Sequence, residues 1–283
     1  MESFRDFLVL ESEYPNLTFG VEVEVAFAAR EGGWDDSQIQ QVISQMKLGW
    51  SFGHDQTCIP GIEMKTKPNP ITDAVLQTLK SDLDIFNVGV QKLGLQIVKN
   101  PGRCATHIHI GGLDETTKVK IAKLWIDGKV QDMEIPLIDP ERRKLMDAPS
   151  GVSYMRRVNS INQYQTLPHS VATTGLGKFL QKTLSWLKNT LGMDKFAGWD
   201  KFYSMSPRGG LGTLEFRTKE STTDGHEIGI LVKTLGAFCS AADSLYNKMQ
   251  SGGLDSGSVR QALYKGGVGA RDLGYVMRRA AGR

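Results

Sequence analysis

Phe19-Gly20-Val21-Glu22-Val23-Glu24-Val25-Ala26-Phe27 alternates apolar and other residues over the length of a whole strand. Successive side chains of a strand turn to opposite faces, so Phe19, Val21, Val23, Val25 and Phe27 share one face and Gly20, Glu22, Glu24 and Ala26 the other. Two carboxylates so placed stand roughly 6.5 to 7 Å apart, and water or a cation must relieve their repulsion. Alone, the stretch reads equally as an amphipathic edge strand with a solvated acidic face. Three later segments repeat the pattern, however: Ile62-Glu63-Met64-Lys65-Thr66-Lys67, Thr106-His107-Ile108-His109-Ile110 and Thr213-Leu214-Glu215-Phe216-Arg217. If these strands share one sheet, its second face collects Glu22, Glu24, Glu63, His107 or His109, Glu215 and Arg217. Carboxylates and an imidazole facing a common space are ligands for Mg²⁺ or Mn²⁺, and an arginine beside them suits a phosphate. The expectation is a nucleotide-phosphate site without a P-loop.

The 283 residues, 40% hydrophobic and 23% charged, have an ordinary globular profile with enough chain for a sizeable core. No run approaches the roughly 18 apolar residues needed to span a bilayer. The N-terminal MESFRDFLVLESEYP is acidic where a signal peptide is basic, so a cytoplasmic protein with no membrane partner is expected. Cys58, Cys104 and Cys239 are odd in number and share no metal or redox spacing, which predicts reduced, mostly buried thiols. Of 34 basic and 31 acidic residues, six and two lie after Gln250, leaving 28 against 29 in residues 1–250. That balance gives the main body no electrostatic footprint for nucleic acid.

Asp35-Asp36-Ser37 is expected to cap a helix carrying Ile39, Val42, Ile43 and Met46, stopped by Gly49. Trp50-Ser51-Phe52 and the Glu63 strand read as an antiparallel pair, which brings Asp55 to the rim of the charged face unless it only caps its own turn. Thr72 or Asp73 starts a long helix with Val75, Leu76, Leu79, Leu83, Phe86 and Val90 on its buried side, closing at Gly94. Leu95 to Val98 begin a strand that Asn100-Pro101-Gly102 interrupts and Thr106 to Ile110 continue, before a helix from about Thr116 to Ile126. Residues 127–155, broken by Pro136, Pro140 and Pro149, suit an active-site loop or a plain surface excursion. Leu176 to Leu191 mark another helix. Its Gly175-Leu176-Gly177-Lys178 start is no phosphate loop, because Ala172 and Phe179 stand where that motif needs Gly and Ser or Thr.

Phe202 to Met205 and Gly212 to Thr218 flank a hairpin turn at Ser206-Pro207-Arg208-Gly209-Gly210, and His226 to Met249 read as one long amphipathic helix. Residues 251–283 carry eight glycines and the basic excess. They read as a tail with at most a short helix at Leu273 to Arg279, so residues 1–250 form the expected domain, folded even when the chain is cut after Gln250.

In order along the chain, FGVEVE, DQT followed by GIEMKTKP, HIHIGG, RRVNSIN and GTLEFRT resemble the amidoligase family, carboxylate-amine ligases related to the glutamate-cysteine ligases and, more distantly, to glutamine synthetase. The likeness covers roughly residues 18 to 245. It implies an α+β, glutamine synthetase-like domain: a curved, mostly antiparallel sheet, backed by helices, whose charged concave face binds ATP and Mg²⁺ or Mn²⁺. By the same resemblance Glu22, Glu24, Glu63 and Glu215 are metal ligands, His107 or His109 is the nucleotide-metal ligand, and Arg217 contacts phosphate. Arg157 and Asn159 match the family's central Arg and Asn loosely. Asp55, from the DQT turn, joins Arg157 and Arg217 as a catalytic candidate. Ala105 and Thr106 replace a glycine that often precedes the histidine strand in that family. The implied reaction phosphorylates a small-molecule or peptide carboxylate with ATP, forming an acyl phosphate that an amine attacks.

Three other readings compete. A cupin-like metal oxidase would use His107, His109 and an acidic residue, but four residues separate Gly102 from His107, five separate His109 from Glu115, and Glu22, Glu24 and Glu215 stay unexplained. A non-catalytic binding protein on a decayed ligase fold sits poorly with acidic residues on every relevant strand. A phosphagen-kinase-like transferase would form no amide.

Overall fold

Strand β1, Thr18–Phe27, forms the middle of an open sheet, and its apolar residues Phe19, Val21, Val23, Val25 and Phe27 are all buried. The computed structural model describes residues 14, 16–28, 35–54, 58, 60–98, 104–133, 137–138, 205–208 and 212–280. The further strands are β2 (Ser51–His54), β3 (Gly61–Lys65), β4 (Asn69–Pro70), β5 (Ile97–Val98), β6 (Ala105–Gly111), β7 (Met205–Arg208) and β8 (Thr213–Glu220). The sheet runs β2-β3-β1-β6-β8-β7, with β4 and β5 paired to the two ends of β1, and each of these pairs is antiparallel. The chain is α+β with a mostly antiparallel sheet. All four segments with alternating patterns lie in it, side by side in the order β3-β1-β6-β8.

Helices cover the apolar face. Helix α1 (Asp36–Ser44) is capped by Asp35, whose carboxylate accepts from the Ser37 and Gln38 amides, and α2 (Asp73–Lys92) is capped by the Thr72 hydroxyl. Leu76, Leu79, Leu83, Phe86 and Val90 of α2 face the core as their spacing predicts, and Asp82 is buried among them. Asp82 accepts from the amides of Lys47 and Leu48 and from the Trp50 indole N–H, which ties the turn after α1 to α2. In α3 (Glu115–Ile126), Trp125 packs edge-on against Phe216 of β8 and Phe238, at centroid distances of 5.6 and 6.0 Å.

Beyond β8 the structure departs from the sequence reading. The helix expected over His226 to Met249 is two helices, α4 (Gly225–Ser240) and α5 (Ala242–Gln250), bent 56° apart at Ala241. Nor is α4 amphipathic. Most of its residues are buried, since β6, α2 and later helices surround it. No single helix among the described residues is long and apolar enough to cross a membrane.

Residues 251–280 are not a free tail. They contain α6 (Ser256–Lys265) and α7 (Ala270–Ala280), and Val259, Leu263 and Leu273 of these helices and Val268 between them are buried in the core of the domain. Tyr14 donates its hydroxyl proton to the Gly266 carbonyl, and Tyr275 bonds the Asp224 carboxylate that caps α4, at 3.1 Å.

The expectation of three reduced thiols is likewise corrected. Cys58 and Cys104 form a disulfide with Cα atoms 5.8 Å apart, while Cys239 is free and buried. Their 46-residue separation conceals the pairing, but each lies just before a strand, β3 or β6, and those strands flank β1 on opposite sides. The bond therefore crosses β1 near Ala26. A disulfide is rare in a reducing cytoplasm, so it sits poorly with the cytoplasmic expectation drawn from the N-terminal sequence.

The hairpin lies about three residues later than its turn chemistry suggests, with Pro207 inside β7 opposite Leu214. Strand β7 is the sheet edge, where a residue without an N–H is tolerated. The expected helix over Leu176–Leu191, most of 127–155, and the candidates Asp55, Arg157 and Asn159 lie outside the described residues.

Candidate functional site

Antiparallel register assembles the polar face row by row. Glu24 faces Glu63, and Glu22 stands between Lys65 of β3 and His107 of β6. One step along, His109 lies between Gly20 and Glu215. Glu22, Glu24, Glu63, His107, His109, Glu215 and Arg217 are thus brought to one face, as the alternation predicts.

The β6 and β8 side of this face is closed from solvent, while Glu22, Glu63 and Lys65 are partly exposed. His107 and Glu215 are fully buried, and Glu24, His109 and Arg217 nearly so. His107 sits among carboxylates: its Nδ1 is 3.1 Å from Glu22 Oε2 and 3.4 Å from Glu215 Oε1, and its Nε2 is 3.5 Å from Glu24 Oε1. Glu24 in turn accepts from the Ala105 amide at 2.7 Å. His109 places Nδ1 3.3 Å from the Thr213 hydroxyl and Nε2 3.4 Å from Glu22 Oε1. Arg217 Nη2 lies 3.0 Å from Glu215 Oε1.

Burial pushes the His107 imidazole down to about 4, aided by the Arg217 charge and opposed by Glu22 and Glu215. His107 is therefore neutral at pH 7. Burial would raise Glu22, but the adjoining His107 and His109 imidazoles outweigh it and hold that carboxyl well below the usual range.

The His107 shift has a consequence for stability. A histidine held at about 4 when folded and near 6.5 when unfolded contributes stability that is complete above pH 6.5 and is lost as pH falls toward 4. Between pH 7 and 5, in chelator, the protein should lose about 2 kcal/mol through this residue. Glu22 adds its own loss only below about 4.5. Thermal melts of wild type and His107→Gln across that range check this, because the variant's stability should change far less with pH.

One ligand atom each from Glu22, His109 and Glu215 fall within 4.8 Å of one another. An octahedral ion with ligands at about 2.1 Å holds opposite donors about 4.2 Å apart, so small side-chain movements suffice to close this set on Mg²⁺ or Mn²⁺. Two unpartnered donors also fit bound groups: His109 Nε2 and Arg217 Nε are buried without a hydrogen-bond partner. Such atoms cost about 1–3 kcal/mol each unless a cation or an anion meets them. Of the two histidines left open by sequence, His109 belongs to the three-residue group, and His107 occupies the space between carboxylates.

Two features escaped the sequence reading. Lys65, two residues after Glu63, lies on the same face with Nζ 2.8 Å from Glu63 Oε2 and 3.3 Å from Glu22 Oε1. Its alternation with Glu63 was the available signal. The other is a bulge in β8. Ile108 pairs with Phe216 but Thr106 with Lys219, so Arg217 and Thr218 together occupy the space opposite His107. The extra residue turns Lys219 to the helix side, where its Nζ meets Glu227 of α4 at 2.8 Å, both side chains buried. Strict alternation would place Lys219 beside Arg217, and no glycine marks the change.

Comparison with known proteins leaves the likeness to the amidoligases resting on the ordered motifs alone. No protein-family model matches this chain, and no curated protein matches it either.

Proposed function

We propose that the chain is an ATP-dependent carboxylate-amine ligase that forms an amide or isopeptide bond through an acyl phosphate, on a glutamine synthetase-like sheet. The observation that carries this reading is the junction of two kinds of site at Glu215. That carboxylate belongs to the cation-competent group with Glu22 and His109, and Arg217, a phosphate-binding side chain, lies 3.0 Å from it. Metal and phosphate sites sharing a wall are what nucleotide-dependent phosphoryl transfer requires.

In this reading Glu22, His109 and Glu215 hold Mg²⁺ or Mn²⁺, which supplies positive charge to the ATP phosphates when bound. Thr213 orients the His109 ring through Nδ1, and Glu22 holds the neutral His107 at its Nδ1. Arg217 turns its unpartnered Nε toward a phosphate oxygen and stabilises charge as the phosphoryl group moves. Arg157, Asn159 and Asp55 complete the set by the resemblance, as nucleotide and catalytic contacts. The substrates are a small-molecule or peptide carboxylate and an amine.

Incubating the protein and MgATP or MnATP with pooled carboxylic acids and amines, followed by nucleotide analysis and mass spectrometry, tests the reading. ADP, phosphate and a new amide are expected. AMP with pyrophosphate, phosphorylated substrate without an amide, or a metal-dependent oxidation without ATP use would each replace it with another chemistry.

A further inference from the structure

Lys65 lies directly across the sheet from Glu22, and its ammonium bridges two carboxylates, at 2.8 Å from Glu63 Oε2 and 3.3 Å from Glu22 Oε1. A divalent ion shared by Glu22 and Glu63 would have to occupy that same space. Charge supports the same division of the face. A second ion beside Lys65 would meet a like charge within a few ångströms.

The donors sort in the same way. His109 Nε2, nine-tenths buried and without a hydrogen-bond partner, points at Glu22 Oε1 on the side of Glu215, whereas Glu63 is not among the three residues whose ligand atoms converge. Lys65 itself is two-fifths exposed, so it can hold its place without filling a core position.

We propose that Lys65 takes the place of a second metal ion: the chain binds one divalent cation, through Glu22, His109 and Glu215, and Glu63 is the counter-ion of Lys65 and not a metal ligand. The proposal rests on the metal centre of the function proposed above. It narrows that function to a site where a fixed ammonium, present before any nucleotide arrives, occupies the place of a second metal between Glu22 and Glu63. A further consequence is that the side of the face around Glu63 responds little to the identity of the metal, while the side around Glu215 responds strongly.

Mn²⁺ titration of the full chain without nucleotide, read by electron paramagnetic resonance of the free ion and by native mass spectrometry, tests this directly. The wild type should bind one ion, and Glu63→Gln should bind one with a Kd within about twofold of it. Lys65→Met should gain a second, weaker ion between Glu22 and Glu63, and Lys65→Arg should remain at one. Two ions on the wild type, loss of more than about tenfold in affinity in Glu63→Gln, or a Lys65→Met protein that still takes one would overturn the role of Lys65 and leave the metal centre standing. A wild type that binds no Mn²⁺ would overturn the centre as well.

Discussion

Glu22→Gln should lose at least about a hundredfold in ligase activity while keeping its fold, the scale found for groups that organise charge in the transition state. Glu22 is the side chain on which the face converges. It touches His107, His109 and Lys65 and belongs to the cation-competent group. The amide keeps the shape but, being neutral, holds a divalent cation far more weakly, and it removes the charge that keeps these cationic and imidazole groups together. Glu215→Gln should lose as much activity with more damage to stability, because it also leaves the buried Arg217 without its partner. Val23→Ala on the opposite face gives the reverse pattern: a few kcal/mol of stability lost and the chemistry kept. Steady-state rates beside urea unfolding curves separate the cases, and wild-type-like rates in both glutamate variants would contradict the metal assignment.

Ending the chain after Gln250 should leave a protein that is insoluble or melts more than about 10 °C lower than the full chain. This reverses the expectation from glycine content. Val259, Leu263, Val268 and Leu273 are buried to 5% exposure or less. Each contributes roughly 1.5–3 kcal/mol, so together they rival the 5–15 kcal/mol net stability of an ordinary domain. Their removal also strips α4 of a covering layer and takes away the bonds of Tyr14 to Gly266 and of Tyr275 to Asp224. A truncated chain with an unchanged melting temperature would show that α6 and α7 add nothing to the core. Leu263→Ala in the full chain is the milder version, expected to lose about 2–5 kcal/mol.

What the sequence made legible was whatever a one-sided sheet writes into it. A strand with a buried face and a polar face must alternate, so β1, β3, β6 and most of β8 declared both the core residues and the polar face. Caps at Asp35 and Thr72 were legible for a similar reason, since a helix start needs a side-chain acceptor. Alternation gives no hint of where Lys219 turns, because a bulge changes its phase without a compositional mark. The disulfide and the C-terminal helices were hidden because both depend on what the topology brings together. Val259 and Leu263 are one helical turn apart, a weak signal among glycines, and become core only against α4. The break at Ala241 had no proline or glycine to announce it.

The fate of carboxylate oxygen tests the central proposal most directly. With a substrate pair from the screen, the carboxylate labelled with ¹⁸O and ATP unlabelled, phosphorylation places a labelled oxygen between carbon and phosphorus. Amine attack at the carbonyl carbon then breaks the carbon–oxygen bond and releases that oxygen with the phosphate. The expected result is ADP and phosphate carrying one ¹⁸O for each amide formed, with Glu22→Gln producing neither. Label in AMP, or an amide formed with no label transferred to phosphate, would contradict it.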